Sequence, residues 1–96
     1  MQVVLLRGAE ADLLELYVRA EEKQIGAGDR LYGMVDGALT HLRKNPEIAP
    51  VYRGVYRRLV LPAFGIGIFY SVEAERLMIG ALLDLRQDPK SIERRL

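Results

Sequence analysis

Apolar residues at Leu13, Leu16, Tyr17 and Ala20 follow the i, i+3, i+4, i+7 spacing that places them on one face of a helix. Asp12 stands just ahead of this stripe, and Gly26 is its expected stop. A second stripe of the same period follows at Leu31, Val35, Ala38, Leu39 and Leu42, with Asp29 ahead of it as an N-cap. Pro46 pushes Asn45 out of helical geometry, so this helix ends before it. Only a few residues separate the two stripes, which predicts an antiparallel helical hairpin.

Outside the hairpin the period changes. Gln2–Leu6 is apolar and partly β-branched, and suits a short strand. Pro46–Gly54 is punctuated by Pro46, Pro50 and Gly54 and reads as a loop. Three strands are then predicted, Tyr56–Leu61, Phe64–Val72 and Leu77–Leu85, joined by a tight link at Pro62-Ala63 and a polar turn at Glu73–Arg76. Short links of this kind make antiparallel neighbours. Phe64–Val72 is apolar on both faces, as expected of a strand covered by helices on one side and used on the other. Asp88 and Pro89 form a cap and first helical position for a short terminal helix, Asp88–Leu96. The expected fold is α+β over residues 1–96. An antiparallel helical hairpin packs on a twisted, mainly antiparallel sheet of about four strands, with a short C-terminal helix.

Composition narrows the function classes. The chain has 96 residues, enough for one core, and no cysteine, so disulfides and thiolate metal sites are excluded. The apolar run Leu59–Val72 falls short of the ~20 residues of a membrane helix and is interrupted by Gly65 and Gly67. The start of the chain has no basic leader, so the expectation is a cytoplasmic protein with no membrane partner. Net charge is only +1, unlike a strongly basic nucleic-acid binder, but the positive excess lies in the carboxyl half.

The candidate chemistry is sparse. His41 is the single histidine, late in the second helix where it suits the dipole, and nothing stands at ligand spacing from it. No metal and no cofactor are expected, and a nucleophile would lack its base. The Gly-Ala-Gly at 26–28 has no preceding strand and no following Lys-Ser/Thr, so it is a turn and not a phosphate loop. Gly65 and Gly67 are expected to share one strand face and leave a bare groove or admit another backbone. Arg57 and Arg58 are strand neighbours and point to opposite faces. Arg86 ends the last strand, and Arg94 and Arg95 lie on the terminal helix. Two readings of these arginines stay open: strand-end charges kept in water, or the basic rim of a target-binding site. Leu14, Val18 and Ile25 lie off the inward stripe and offer apolar surface to a partner, and the sheet offers an edge for strand addition.

Three segments, "ADLLELY", "RLYGMVDGALTHLRKNPEIAP" and "YRRLVLPAFGIGIFYSVEAERLMIGALLDLRQDP", resemble in order and spacing the RelE/ParE family of bacterial toxins. The resemblance implies a helical hairpin on an antiparallel sheet, and a toxin held inactive by a cognate antitoxin. RelE-like members cut messenger RNA on the ribosome; ParE-like members poison DNA gyrase and serve plasmid stabilisation. Arg57 and Arg86 match basic positions of the RNA-cutting branch and are the only catalytic candidates. Leu59, Gly67 and Ile92 stand where that branch offers a lysine, an arginine and a tyrosine. Asp84 stands where many members carry histidine. The resemblance therefore leans to the ParE-like branch and a gyrase inhibitor. The alternatives are a ribosome-dependent endoribonuclease and a degenerate, inactive member. A hetero-oligomer with the antitoxin is implied, its segment lying over Leu14, Val18 and Ile25 and its acidic residues near the arginines.

Overall fold

Strand β1 (Gln2–Leu5) leads directly into helix α1 (Arg7–Lys23), and a short turn connects α1 to α2 (Ala27–Lys44). Then come β2 (Val51–Arg53), β3 (Tyr56–Leu61), a single 3-10 turn at Pro62–Phe64, β4 (Ile66–Glu73), β5 (Arg76–Asp84) and α3 (Pro89–Arg95). The computed structural model describes every residue from Met1 to Leu96. The five strands form one sheet in the order β1-β5-β4-β3-β2, antiparallel except for the parallel pair β1 and β5.

The α+β architecture agrees with the sequence expectation, with one strand more than expected. Val51–Arg53, inside the predicted loop, pairs with β3 as an edge strand, and its register shifts between Val51 and Arg53. A proline before it and a glycine after it leave three residues, too few to show an alternating pattern. Helix α1 begins five residues before Asp12, with Leu6 at its cap and no side-chain cap bond. Asp12 is therefore inside the helix. Helix α2 starts at Ala27, so Asp29 sits in its first turn and is not the cap. The turn is instead held by Glu21, whose Oε1 accepts from the Gly26 and Gly28 amides at 2.9 and 2.8 Å. The predicted cap at Asp88 is present, its side chain accepting from the Lys90 amide at 2.8 Å with Pro89 next.

The hairpin covers one face of the sheet. Leu31, Val35 and Leu42 from α2 and Ala9 from α1 pack with Leu61, Ile66, Ile68, Tyr70, Leu77, Ile79 and Leu82 in one buried cluster. On the opposite face Phe69, Ala81 and Leu83 meet Ile92 of α3, with Tyr52, Tyr56, Leu85 and Leu96 around them. A bulge in β5 decides which residues go where. Phe69 pairs with Ala81 but Tyr70 pairs with Ile79, leaving Gly80 as the extra residue. Leu77 and Ile79 face the hairpin before the bulge; after it the alternation is reset, and Leu82 faces the hairpin while Ala81 and Leu83 face α3. The second face is thus closed by the terminal helix and is not left free for use.

Candidate functional site

Between α1, the end of β5 and α3 lies an open cleft of about 600 Å³, lined by Asp12, Glu15, Arg19, Asp84, Arg86 and Arg95 over Leu16, Leu82 and Leu83. Its construction starts from the shortness of β1. The pairing of β1 with β5 ends at Leu5 and Ile79, so the next residues of β5, paired with β4 on one side, have no strand on the β1 side. Helix α1 passes there, and Asp12, 8% exposed, faces the gap. Its Oδ2 accepts the Leu82 amide at 3.0 Å, taking the place of a missing strand carbonyl. The same carboxylate accepts both terminal nitrogens of Arg95, at 2.7 and 2.8 Å. This two-pronged geometry is the strong form of the arginine–carboxylate bond. The Asp12 bonds hold the Arg95 guanidinium above its ordinary pKa.

Two further pairs complete the cleft. Arg86 donates to Asp84 from its backbone amide at 2.8 Å, from Nε at 3.0 Å and from a terminal nitrogen at 2.8 Å. These bonds hold the Asp84 carboxyl down to about 2 and raise Arg86. Arg19 meets Glu15 one helical turn away at 3.0 Å. Each of the three cations that line the cleft has its own carboxylate. Beside it an apolar hollow of about 200 Å³ continues past Arg86 to Ala20, Lys23, Leu31 and Phe64. The cleft carries no imidazole, and His41 stands exposed on α2. No group of three or more histidine, aspartate or glutamate side chains is placed to hold a metal ion.

The arginines singled out from the sequence are distributed over three places. Arg86 and Arg95 share the cleft. Arg57 is on the hairpin face of β3, where it donates to the Glu47 and Ala49 carbonyls at 3.1 and 2.7 Å and holds the chain leading into β2. It is a half-buried structural donor, a correction to the reading of Arg57 as a strand-end charge in water. Arg58 faces α3 and lies over the Tyr52 ring, 4.8 Å from its centroid. Arg57 pairs with Tyr70, whereas Asp84, two residues before Arg86, pairs with Ile66. Four residues of β4 separate those positions, about 13 Å of strand, so Arg57 and Arg86 stand at opposite ends of the sheet. Arg94 is exposed outside the cleft.

The positions compared with the RNA-cutting branch also divide. Arg57 and Leu59 face the hairpin, while Gly67 lies on the opposite face, against which Ile92 of α3, 4% exposed, packs. Gly67 does not open a groove. A Cβ there would lie 3.0 Å from Leu85 and 3.3 Å from Arg58, so side chains, and not another backbone, occupy the space. Gly65 is not on that face but ends the 3-10 turn with a left-handed φ of 63°.

Leu14, Val18 and Ile25 are exposed, at 65%, 46% and 93%. Leu14 borders a shallow apolar groove with Leu5, Leu13, Tyr17 and Tyr32, and Tyr17 donates to Asp29 across the hairpin at 2.7 Å. Sequence reasoning missed Asp12, Glu15 and Arg19 as cleft residues. Asp12 had a readable signal: it falls on the buried stripe between Ala9 and Leu13, where a charge needs a partner.

No protein-family model matches the chain, and no curated protein matches it significantly. Among solved structures it is similar to a chain of the chromosomal ParDE TA system from P. aeruginosa, with a TM-score of 0.65 and 15% identity. The match covers 90% of this chain and 97% of that one. At that identity the likeness is one of fold, and it shows the RelE/ParE-like α+β fold that the sequence resemblance implied. No helix is long and apolar enough to cross a membrane.

Proposed function

We propose that this chain is the toxin of a type II toxin–antitoxin module, that it acts on DNA gyrase by protein contact, and that a cognate antitoxin neutralises it. The toxin–antitoxin part is supported by the fold shared with a chain of a ParDE system. The choice of contact over RNA cleavage is carried by one observation. The sheet face that holds Gly67 is apolar, its Phe69, Ala81 and Leu83 being sealed by Ile92 of α3. An RNA-cutting site needs cations and a proton donor around the scissile phosphate. Each such group typically contributes 10²–10³ in rate, and the cations on that face are engaged, Arg58 with Tyr52 and Arg53 with Glu93 of α3. Arg57 points to the other face, and Arg86 is matched by Asp84. The antitoxin segment lies over the exposed apolar residues Leu14, Val18 and Ile25.

The test is to add the purified chain to gyrase, supercoiled plasmid and ATP, and in parallel to ribosomes translating a defined message. The expected result is linear DNA on protein digestion with the message intact. Message cleavage with gyrase unaffected would overturn the gyrase reading in favour of a ribonuclease. In cells the same distinction is filamentation with DNA-damage signalling against immediate translation arrest.

A further inference from the structure

Helix α3 has seven residues and lies over the aromatic face of the sheet. Helices this short do not persist alone in water, so its helical state depends on docking. Yet no backbone hydrogen bond ties it to the sheet; its amides bond only within the helix and to its cap at Asp88. Docking rests on Ile92 and Leu96 beneath it and on two ion pairs. One is Arg95 with Asp12 of α1, and the other is Arg53 of β2 with Glu93, at 3.0 Å. Helix α1 and strand β2 stand on opposite sides of the sheet, α1 following edge strand β1 and β2 forming the other edge. The helix is therefore fastened on both sides and seated by one buried isoleucine in between. The two fastenings differ in strength. The Arg53–Glu93 side chains are 59% and 44% exposed, so salt screens them. The Arg95–Asp12 pair is half-buried and two-pronged.

We propose that α3 is a strap that undocks as a unit while the rest of the sheet and the hairpin stay folded, uncovering the face lined by Tyr52, Tyr56 and Phe69. The apolar contact it loses is small, and its links to the sheet are side-chain links that open without disturbing the strand ladder. Undocking frees Arg95 and Glu93 into water, and Asp12 keeps its bond to the Leu82 amide. The exposed surface is aromatic and apolar with Arg58 beside it, and its availability is set by the two ion pairs.

The absence of cysteine makes this directly measurable, because two buried alanines report on the two faces: Ala81 of β5 under α3 and Ala9 on the inward face of α1, both 0% exposed. In single variants Ala81→Cys and Ala9→Cys, thiol labelling is followed in urea well below the unfolding midpoint. Ala81→Cys is expected to label at least about tenfold faster than Ala9→Cys, with little dependence on urea and a rise with added salt. Added to Ala81→Cys, Glu93→Gln should speed labelling about threefold, as for an exposed pair. Arg95→Gln should speed it about tenfold or more, as for a charged two-pronged bond. In the unaltered chain, hydrogen exchange at the Ile92 and Leu96 amides should be faster than in β4 and should quicken with salt. The strap is overturned if both thiols label at the same rate with the same steep urea dependence, or if α3 amides exchange only with global unfolding.

Discussion

On the hairpin side of the sheet, twelve buried residues from two helices, three strands and a loop meet in one cluster. On the other side four buried residues suffice, three from the sheet and one from α3, and ion pairs to α1 and β2 supply the rest. The first face is closed by packing, which is insensitive to salt and pH. The second is closed by a smaller apolar contact together with two ion pairs on a short helix, and is expected to answer to salt. The same β4 strand serves the two faces, so the contrast arises from what covers it and not from the strand itself.

The contrast is sharpened most by deleting one isoleucine on each side. Ile68→Ala opens a hole in the hairpin-face cluster, which has no loose element to collapse into it. We expect a loss of about 4 kcal/mol, with the urea midpoint lowered and the slope unchanged. Ile92→Ala removes the same atoms, but its cost is capped by the free energy of undocking α3, and we expect about 1–2 kcal/mol. Equal losses at the two positions would mean that α3 is as firmly part of the core as α2.

Arg57 and Arg94 test whether charge matters only on the α3 side. Arg57→Ala leaves the Glu47 and Ala49 carbonyls without their donor and should cost about 1–2 kcal/mol by urea unfolding. Arg94→Ala, on the outer side of α3, should change the midpoint by less than about 0.5 kcal/mol.

The last test is in acid. Asp84 is held near 2 by Arg86, below the about 3.9 of an unfolded aspartate. A depressed carboxylate stabilises fully above the unfolded value, and that stability is lost as pH falls through the folded one. The difference in urea midpoint between the wild type and Asp84→Asn should therefore be constant above about pH 5 and be lost progressively between about pH 5 and pH 1. A difference undiminished from about pH 5 down to pH 2 would remove the turn feeding α3 from the charge-dependent side.

The hairpin, β3 and the cap at Asp88 were readable because each has a local cause: a 3.6-residue stripe, an alternating run, a carboxylate ahead of proline. Strand β2 was not, since three residues cannot show a period. The start of α1 was hidden because Leu6 caps it without a polar side chain, so the eye settles on Asp12. The alternation at Arg57 and Arg58 told that they oppose each other, but which one faces the hairpin depends on the sheet that β3 joins. The cleft was the least legible, because Asp12 acquires its meaning only from Leu82 and Arg95, far along the chain.

That distance also bears on the order of assembly. The bonds from Asp12 to Leu82 and Arg95 span 70 and 83 residues, whereas α1 and α2 meet across a three-residue turn. Closing a long loop costs entropy before any contact rewards it, and such closures set the pace of folding. The hairpin and the β3–β5 meander are therefore expected to form early, and the docking of β1 beside β5 is expected to be the slow step. Until then Asp12 is a charged residue on an apolar helical stripe. Its carboxylate opposes burial of that stripe in any arrangement that lacks the Leu82 amide and Arg95, so it discriminates against wrong partners for α1 during folding.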